Sequence, residues 1–177
     1  KEKNLNVFQA DAQLLPFKDN SFDLIVSSLV YQWLDDLDCA FFEVRRVLRE
    51  NGEFCFNFFG RDTLKELRFS FSEAMGDCLK NKFSKNFKPA DIEEVKSVLE
   101  RKHFKEIKLN TTFVKAHFNN LLSLVRWLKL IGANRIAKPI FIGKEIWQDA
   151  NKIYSDNFRD RGLVFATFEV IEVKAKK

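Results

Sequence analysis

Residues Phe22 to Val26, Phe-Asp-Leu-Ile-Val, are almost continuously apolar, which predicts a parallel strand covered on both faces. A shorter apolar run, Leu5 to Gln9, predicts another strand just before Asp11. After the first of these, Ala40, Phe41, Val44, Val47 and Leu48 recur at helical spacing, with Asp38 placed to cap the helix and Gly52 to stop it. Glu53 to Phe59 returns to strand character. Arg61 to Leu79 reads as a helix, and Lys88 to Lys102 as a stronger one. In the latter, Pro89 suits the first turn, acids gather near the amino end, and Ile92, Val95, Val98 and Leu99 form the buried stripe. Residues 104–118 alternate through Ile107, Leu109, Thr111 and Phe113, the pattern of a half-exposed strand. Two amphipathic helices follow, over 119–132 and 144–158, and Leu163 to Val173 is the last strand. The order strand, crossover, strand, helix, strand points to a parallel sheet in an α/β domain.

A chain of 177 residues holds one domain with a sizeable core. No apolar run approaches the roughly 20 residues of a membrane span, and no secretory signal is evident. Cys39, Cys55 and Cys78 are odd in number and lack metal-ligand spacing, so they read as free thiols in a reducing, cytoplasmic setting. The net charge of +5 favours an acidic partner or substrate. No nucleic-acid motif accompanies it, and a monomer that binds neither nucleic acid nor membrane is expected. The only methionine is Met75 and the chain opens just ahead of a strand, so it is expected to be the carboxyl-terminal part of a longer protein.

The punctuation between Ala10 and Trp33 is unusual for a purely structural segment. Asp11 follows one apolar run, Leu15-Pro16-Phe17 makes a turn, and the second run ends in Ser27-Ser28. Ligand sites of parallel sheets lie beyond the carboxyl ends of the strands, where these polar residues fall.

Asp11, Leu15-Pro16-Phe17, Phe22-Asp23-Leu24 and the helix Glu43 to Gly52 together resemble the class I S-adenosylmethionine-dependent methyltransferases. The resemblance covers essentially the whole chain, with Asn51-Gly52 departing mildly from the usual Pro-Gly or Gly-Gly turn. It implies the carboxyl-terminal portion of a Rossmann-like, doubly wound, mostly parallel sheet with an antiparallel last strand. Residues 1–177 would form a partial methyltransferase domain, and 119–160 a helical insertion serving as a lid. The cofactor implied is S-adenosyl-L-methionine, with the Asp11 carboxylate accepting from the adenine amine, the Ala12 amide donating to a ring nitrogen, and Ser27 near the methyl group. The family's glycine-rich loop and ribose-binding acid have no counterpart in these residues, so this segment alone is expected to bind the cofactor poorly.

Three further stretches, "SSLVYQWLDDL", "FFGRDTLKELR" and "LLSLVRWLKLIGANR", resemble the malonyl-acyl-carrier-protein O-methyltransferases that begin biotin synthesis. That resemblance implies methylation of the free carboxylate of a malonyl thioester borne by acyl-carrier protein or coenzyme A. Such a carboxylate is ionised at neutral pH, so no catalytic base is expected, and His103 and His117 read as structural. Tyr31, Gln32 and Trp33 would form the pocket mouth. Arg126 and Arg135 are the first candidates to hold the substrate carboxylate, with Arg61 and Arg68 behind them, because a guanidinium matches a carboxylate bidentately. Lys80, Lys82, Lys85 and Lys88, or Arg101, Lys102, Lys105 and Lys108, would face an acidic carrier. The alternatives are an arginine hydroxylase of the complex I assembly type, another small-molecule methyltransferase, or a non-catalytic scaffold on the same fold.

Overall fold

The computed structural model describes residues 6–34, 36–86, 91–131 and 142–177, with the side chains of 77–86 excepted. Its elements run β1 (Phe22–Ser28), a 3-10 turn (Tyr31–Trp33), α1 (Leu37–Val47), β2 (Leu48–Phe59), α2 (Lys65–Asn86) and α3 (Ile92–Arg101). They continue with β3 (Lys105–Phe118), α4 (Leu121–Leu130), α5 (Lys144–Asn157), β4 (Arg159–Asp160) and β5 (Leu163–Lys176). The sheet has the order β1-β2-β5-β3, with β4 beside β5. β1 and β2 are parallel, as the continuous apolar run predicts, and β4 pairs antiparallel with β5, so the sheet is mixed. The chain divides into two compact units. One comprises Lys1–Phe58, Asp91–Asn110 and Ile171–Lys177; the other comprises Phe59–Ala90 and Thr111–Val170.

In the first unit, Phe54, Phe56 and Phe58 alternate inward from β2 onto Ala40, Phe41, Val44 and Val47 of α1 and Val95, Val98 and Leu99 of α3, all buried. Across the helix–sheet interface the Phe41 ring lies 5.6 Å from that of Phe54 and 5.3 Å from that of Phe56. Such aromatic pairs are worth about 0.5–1.5 kcal/mol each beyond their buried area. The cap of α1 is Asp36, not Asp38: its Oδ1 accepts from the Cys39 amide at 2.9 Å. Asp38 instead pairs with Arg101 at 2.8 Å and Lys102 at 3.0 Å, tying α1 to the end of α3. Helix α1 stops at Val47, five residues before Gly52. Leu48 turns extended and fully buried and pairs with Phe22, and Asn51 takes a left-handed φ of 64° in the bulge that follows.

The expected strand over Leu5 to Gln9 is not formed. Leu5 lies outside the described residues, and residues 6–10 carry no regular structure. A strand exists only through a paired neighbour, and among the described residues this run has none. Beyond it, the Leu15-Pro16-Phe17 turn is clamped by α1. Arg46 Nε and Nη2 donate to the two carboxylate oxygens of Glu43, each at 2.8 Å. The same guanidinium donates to the carbonyls of Leu15 at 2.9 Å and Phe17 at 2.8 Å and to Asp19 at 2.7 Å. Glu43 in turn accepts from the Leu15 amide at 2.8 Å. The Arg46 guanidinium holds the Glu43 carboxyl below the usual carboxylate range, with the Leu15 amide acting in the same direction.

The second unit is built on α2, α4 and α5. Leu64, Phe71, Met75, Leu121, Leu124, Leu128, Ala150 and Tyr154 pack with Val164, Ala166 and Phe168 of β5. Asn120 caps α4, its Oδ1 accepting from the Ser123 amide at 2.9 Å. Helix α2 starts at Lys65, four residues later than the sequence pattern predicts, and breaks at Gly76, whose φ is 62°. The late start follows from residues 60–64, which are stitched to β5 instead of coiling. The Gly60 amide donates to the Glu169 carbonyl at 2.9 Å, and the Leu64 amide to the Thr167 carbonyl at 2.7 Å. The Asp62 amide donates to Glu169 Oε2 at 2.7 Å. Thr63 Oγ1 donates to the Glu169 carbonyl and accepts from its amide, at 3.2 and 3.1 Å. Glu66, buried, closes the latch by accepting from the amide and the hydroxyl of Thr167.

Two outcomes test these local structures. Because the folded Glu43 pKa is depressed, its contribution to stability is full above the ordinary glutamate range and is lost as pH falls through the folded value. Arg46→Ala is expected to lower the unfolding temperature at pH 7 and to flatten its dependence on pH between 6 and 3, read by thermal melts across that range. Gly60→Ala would place a methyl carbon 2.4 Å from the Glu169 carboxylate and displace it from the Asp62 amide. A charge-assisted hydrogen bond is worth about 1.5–3 kcal/mol, so urea unfolding of Gly60→Ala is expected to show a loss of that order.

Candidate functional site

In the first unit the carboxyl ends of β1 and β2 meet in parallel register, Ser27 opposite Phe56 and Ser28 opposite Asn57. Asn57, which the sequence reading did not single out, organises this end. Its Oδ1 accepts from Ser28 Oγ at 3.1 Å and from the Leu29 amide at 2.9 Å. Leu29 is thereby held with φ at 55°, a left-handed conformation that costs a residue with a Cβ and turns the chain sharply after the strand. The only sequence signal was a polar residue inside the otherwise apolar run Phe54 to Phe59.

Asp11 is exposed, and its own turn sets its orientation: Oδ1 accepts from the Gln13 amide at 2.8 Å and its carbonyl from the Leu14 amide at 3.0 Å. Four residues on, the Glu43–Arg46 clamp fixes Leu15, so the loop carrying Asp11 and Ala12 is anchored on its carboxyl side. Ser27 is half-buried and lines, with Ser28, Asn57, Asn110, Glu172 and Lys174, a groove of about 390 Å³ on one face of the sheet in this unit. Asn110 donates to Glu172 at 3.0 Å there, and Lys174 pairs with Glu53 at 2.9 Å. Towards β1 the same strand exposes apolar side chains, Leu24 at 52% and Val26 at 69%.

The three residues expected at a pocket mouth are placed differently from one another. Tyr31 is 5% exposed, its ring packed edge-on against Phe41, Phe54 and Phe56 at 5.2–5.5 Å. Burial pushes the pKa of the Tyr31 hydroxyl far up, so it stays protonated at neutral pH and the side chain acts as packing. Gln32 is half-buried and Trp33 exposed on the same 3-10 turn.

Of the arginine candidates, Arg126 is exposed on α4 in the second unit, and Arg135 lies outside the described residues. Arg68 is half-buried on α2 among Asp62, Glu66 and Glu169, its Nη2 donating to the Arg61 carbonyl, and desolvation lowers its pKa. Nearby, burial and the Glu66 charge push the Tyr154 hydroxyl up, and Tyr154 donates to the Phe165 carbonyl at 2.8 Å. His117 contacts Asp160 at 3.2 Å between β3 and β4, a structural pairing. Of the carrier-facing group expected at Arg101, Lys102, Lys105 and Lys108, the first two share the single carboxylate of Asp38, and the other two make no ion pair among the described residues. The group Lys80 to Lys88 lies outside the described side chains. Among the described residues no cluster of acids, histidines and cysteines is arranged to hold a metal ion, and no helix is long and apolar enough to cross a membrane.

Residues 1–56 match the family model described as a methyltransferase domain. A malonyl-[acyl-carrier protein] O-methyltransferase of Nitrosospira multiformis is 34% identical over 91% of the chain and 51% of its own length. The mitochondrial arginine-hydroxylase NDUFAF5 of Homo sapiens is 30% identical over 91% of the chain and 48% of its own length. The chain thus spans about half the length of the curated relatives it matches. The crystal structure of the YcgJ protein of Bacillus subtilis superposes with a TM-score of 0.60 at 15% identity, over 96% of this chain and 70% of that one. A mixed sheet ending in polar strand tips, the clamped acidic turn before β1 and these likenesses converge: the chain belongs to the class I S-adenosylmethionine-dependent methyltransferases.

Proposed function

We propose that the protein containing this chain transfers a methyl group from S-adenosyl-L-methionine to the free carboxylate of a malonyl thioester carried by acyl-carrier protein, as in biotin synthesis. The observation that carries the reading is the 34% identity to a malonyl-[acyl-carrier protein] O-methyltransferase, sustained over 91% of the chain. It runs through both units, including the latch at residues 60–66 and helix α4, which a methyl donor site alone would not require.

The chemistry asks little of the chain. A malonyl carboxylate is deprotonated at neutral pH and is itself the nucleophile, so the protein needs alignment and exclusion of water, not a base. The donor's sulfonium supplies an electrophilic methyl group. Tyr31 fits this scheme, because its hydroxyl stays protonated and cannot take a proton at neutral pH. Asp11 fits the cofactor's chemistry too. It is exposed, makes no ion pair among the described residues, and is held rigidly by its turn, so it can accept from an exocyclic amine while the neighbouring Ala12 amide donates. Ser27, at the tip of β1, would lie by the reacting methyl.

A second reading, hydroxylation of a protein arginine, is supported by the 30% identity to NDUFAF5 over the same stretch. The two differ in product. With its upstream coding region included and labelled S-adenosylmethionine supplied, the protein is expected to place base-labile label on malonyl-acyl-carrier protein. Asp11→Ala is expected to weaken cofactor binding by about tenfold, the loss of one good hydrogen bond, in a calorimetric titration. Cofactor binding without any labelled carrier would overturn the methyl-ester reading and favour the hydroxylase.

A further inference from the structure

Helix α4 buries Leu121, Leu124 and Leu128 and presents a second face outward. On that face Leu122, Arg126, Lys129 and Leu130 follow at helical spacing, with Ile131 adjoining at the cap. Leu122 is 42% exposed and Leu130 85%, so the leucines stand beside the two cations in one stripe. Single exposed leucines are ordinary, but a helix that flanks two cations with protruding leucines along one face has the composition of a contact surface.

Several basic residues of the chain are matched by an acid. Arg101 and Lys102 are matched by Asp38, Lys174 by Glu53, Lys176 by Glu106, and Lys65 by Asp62. Arg126 and Lys129 make no ion pair among the described residues. Lys96, Lys105 and Lys108 likewise make no ion pair among the described residues, so what sets Arg126 and Lys129 apart is the exposed leucines beside them on one helix.

We infer that this face of α4 docks an acidic helix of the acyl-carrier protein that bears the malonyl thioester. The inference rests on the function proposed above and assigns that substrate's protein half to a surface. The occupant follows from complementarity. Unmatched cations steer an acidic partner over distances near the Debye length, roughly 8 Å at physiological salt, and fix its orientation. The leucines then take up apolar side chains between the partner's acids. A nucleic acid would leave Leu122 and Leu130 against phosphates, and a ten-residue helix with two cations on its outer face is poorly suited to lie in a membrane. Arg126, read from the sequence as a partner for the substrate carboxylate, sits on this outward face and would serve the carrier's acids instead.

The test compares two substrates of the same protein, expressed with its upstream coding region: malonyl-acyl-carrier protein and malonyl-pantetheine, which has the thioester without the carrier. Lys129→Glu and Leu130→Asp are both surface changes, and melting temperatures establish that each variant is folded. Each is expected to raise KM for the carrier substrate about tenfold or more at nearly constant kcat, while leaving malonyl-pantetheine turnover unchanged. The wild-type KM for the carrier should rise with added salt, and the Lys129→Glu value should depend on salt less. Equal impairment of both substrates would overturn the assignment, as would an unchanged carrier KM. A change of oligomeric state in Leu130→Asp at constant carrier KM would overturn it in favour of self-association. If the wild type methylates neither substrate, the reaction reading has failed, and fluorescence titration of labelled holo-carrier protein decides the surface by itself. Binding that Lys129→Glu abolishes supports the dock, and absence of binding sinks it.

Discussion

A buried carboxylate cannot stay charged without a partner, and in the first unit that requirement fixes the loop on which the candidate cofactor site depends. Glu43 lies on the inner side of α1 and is nearly inaccessible to water. Desolvating it alone would be costly, and the cation one helical turn away, Arg46, offsets that cost through a two-pronged contact. The remaining hydrogen bonds of the pair are spent on the loop: a carboxylate oxygen takes the Leu15 amide, and the guanidinium reaches the carbonyls of Leu15 and Phe17. The loop is thus held by backbone groups, so its path tolerates side-chain changes at 15–17 better than any change at 43 or 46. Asp11 and Ala12 inherit their anchorage from a helix some thirty residues later.

The same economy recurs in the second unit with a different chemistry. Glu66 has no cation in direct contact among the described hydrogen bonds and instead receives an amide and a hydroxyl from Thr167. Glu169 ties back to Gly60, Asp62 and Thr63. In both units an acid on a helix or strand captures exposed backbone amides of an irregular segment, which would otherwise face water or remain unsatisfied. Irregular segments held this way can carry function, because they are positioned without being regular.

How much of this was legible in the sequence depended on the range of the interaction. Helices α1, α3, α4 and α5 and strands β1, β2, β3 and β5 announce themselves because periodicity is local: Val95, Val98 and Leu99 must share a face wherever α3 packs. Boundaries that rest on long-range partners were missed. The sequence points to Asp38 as the cap of α1, but Asp38 pairs with Arg101 and Lys102, more than 60 residues away, and Asp36 caps the helix instead. The strand expected before Asp11 failed for the related reason that pairing is not encoded in the run itself. At the candidate site, Asp11 and Ser27 stand out in the sequence as polar residues bordering apolar runs, whereas Asn57, Glu43 and Arg46 do not, since each acts across 28 or more residues.

Charge accounting carries the functional argument one step further than the motifs do. A net charge of +5 says only that an acidic partner is favoured, and it does not say where. Once the ion pairs are placed, Arg101 and Lys102 prove to share the Asp38 carboxylate inside the first unit, while Lys105 and Lys108 of the same group make no ion pair among the described residues. Two cations of α4 are left beside exposed leucines, on a helix whose opposite side is firmly buried. A helix fixed on one side can hold a partner on the other without moving, which keeps the entropic cost of association low. For a reaction whose nucleophile arrives already ionised, positioning the substrate is most of what the protein has to do, and a rigid helix presenting cations and leucines together is suited to position it.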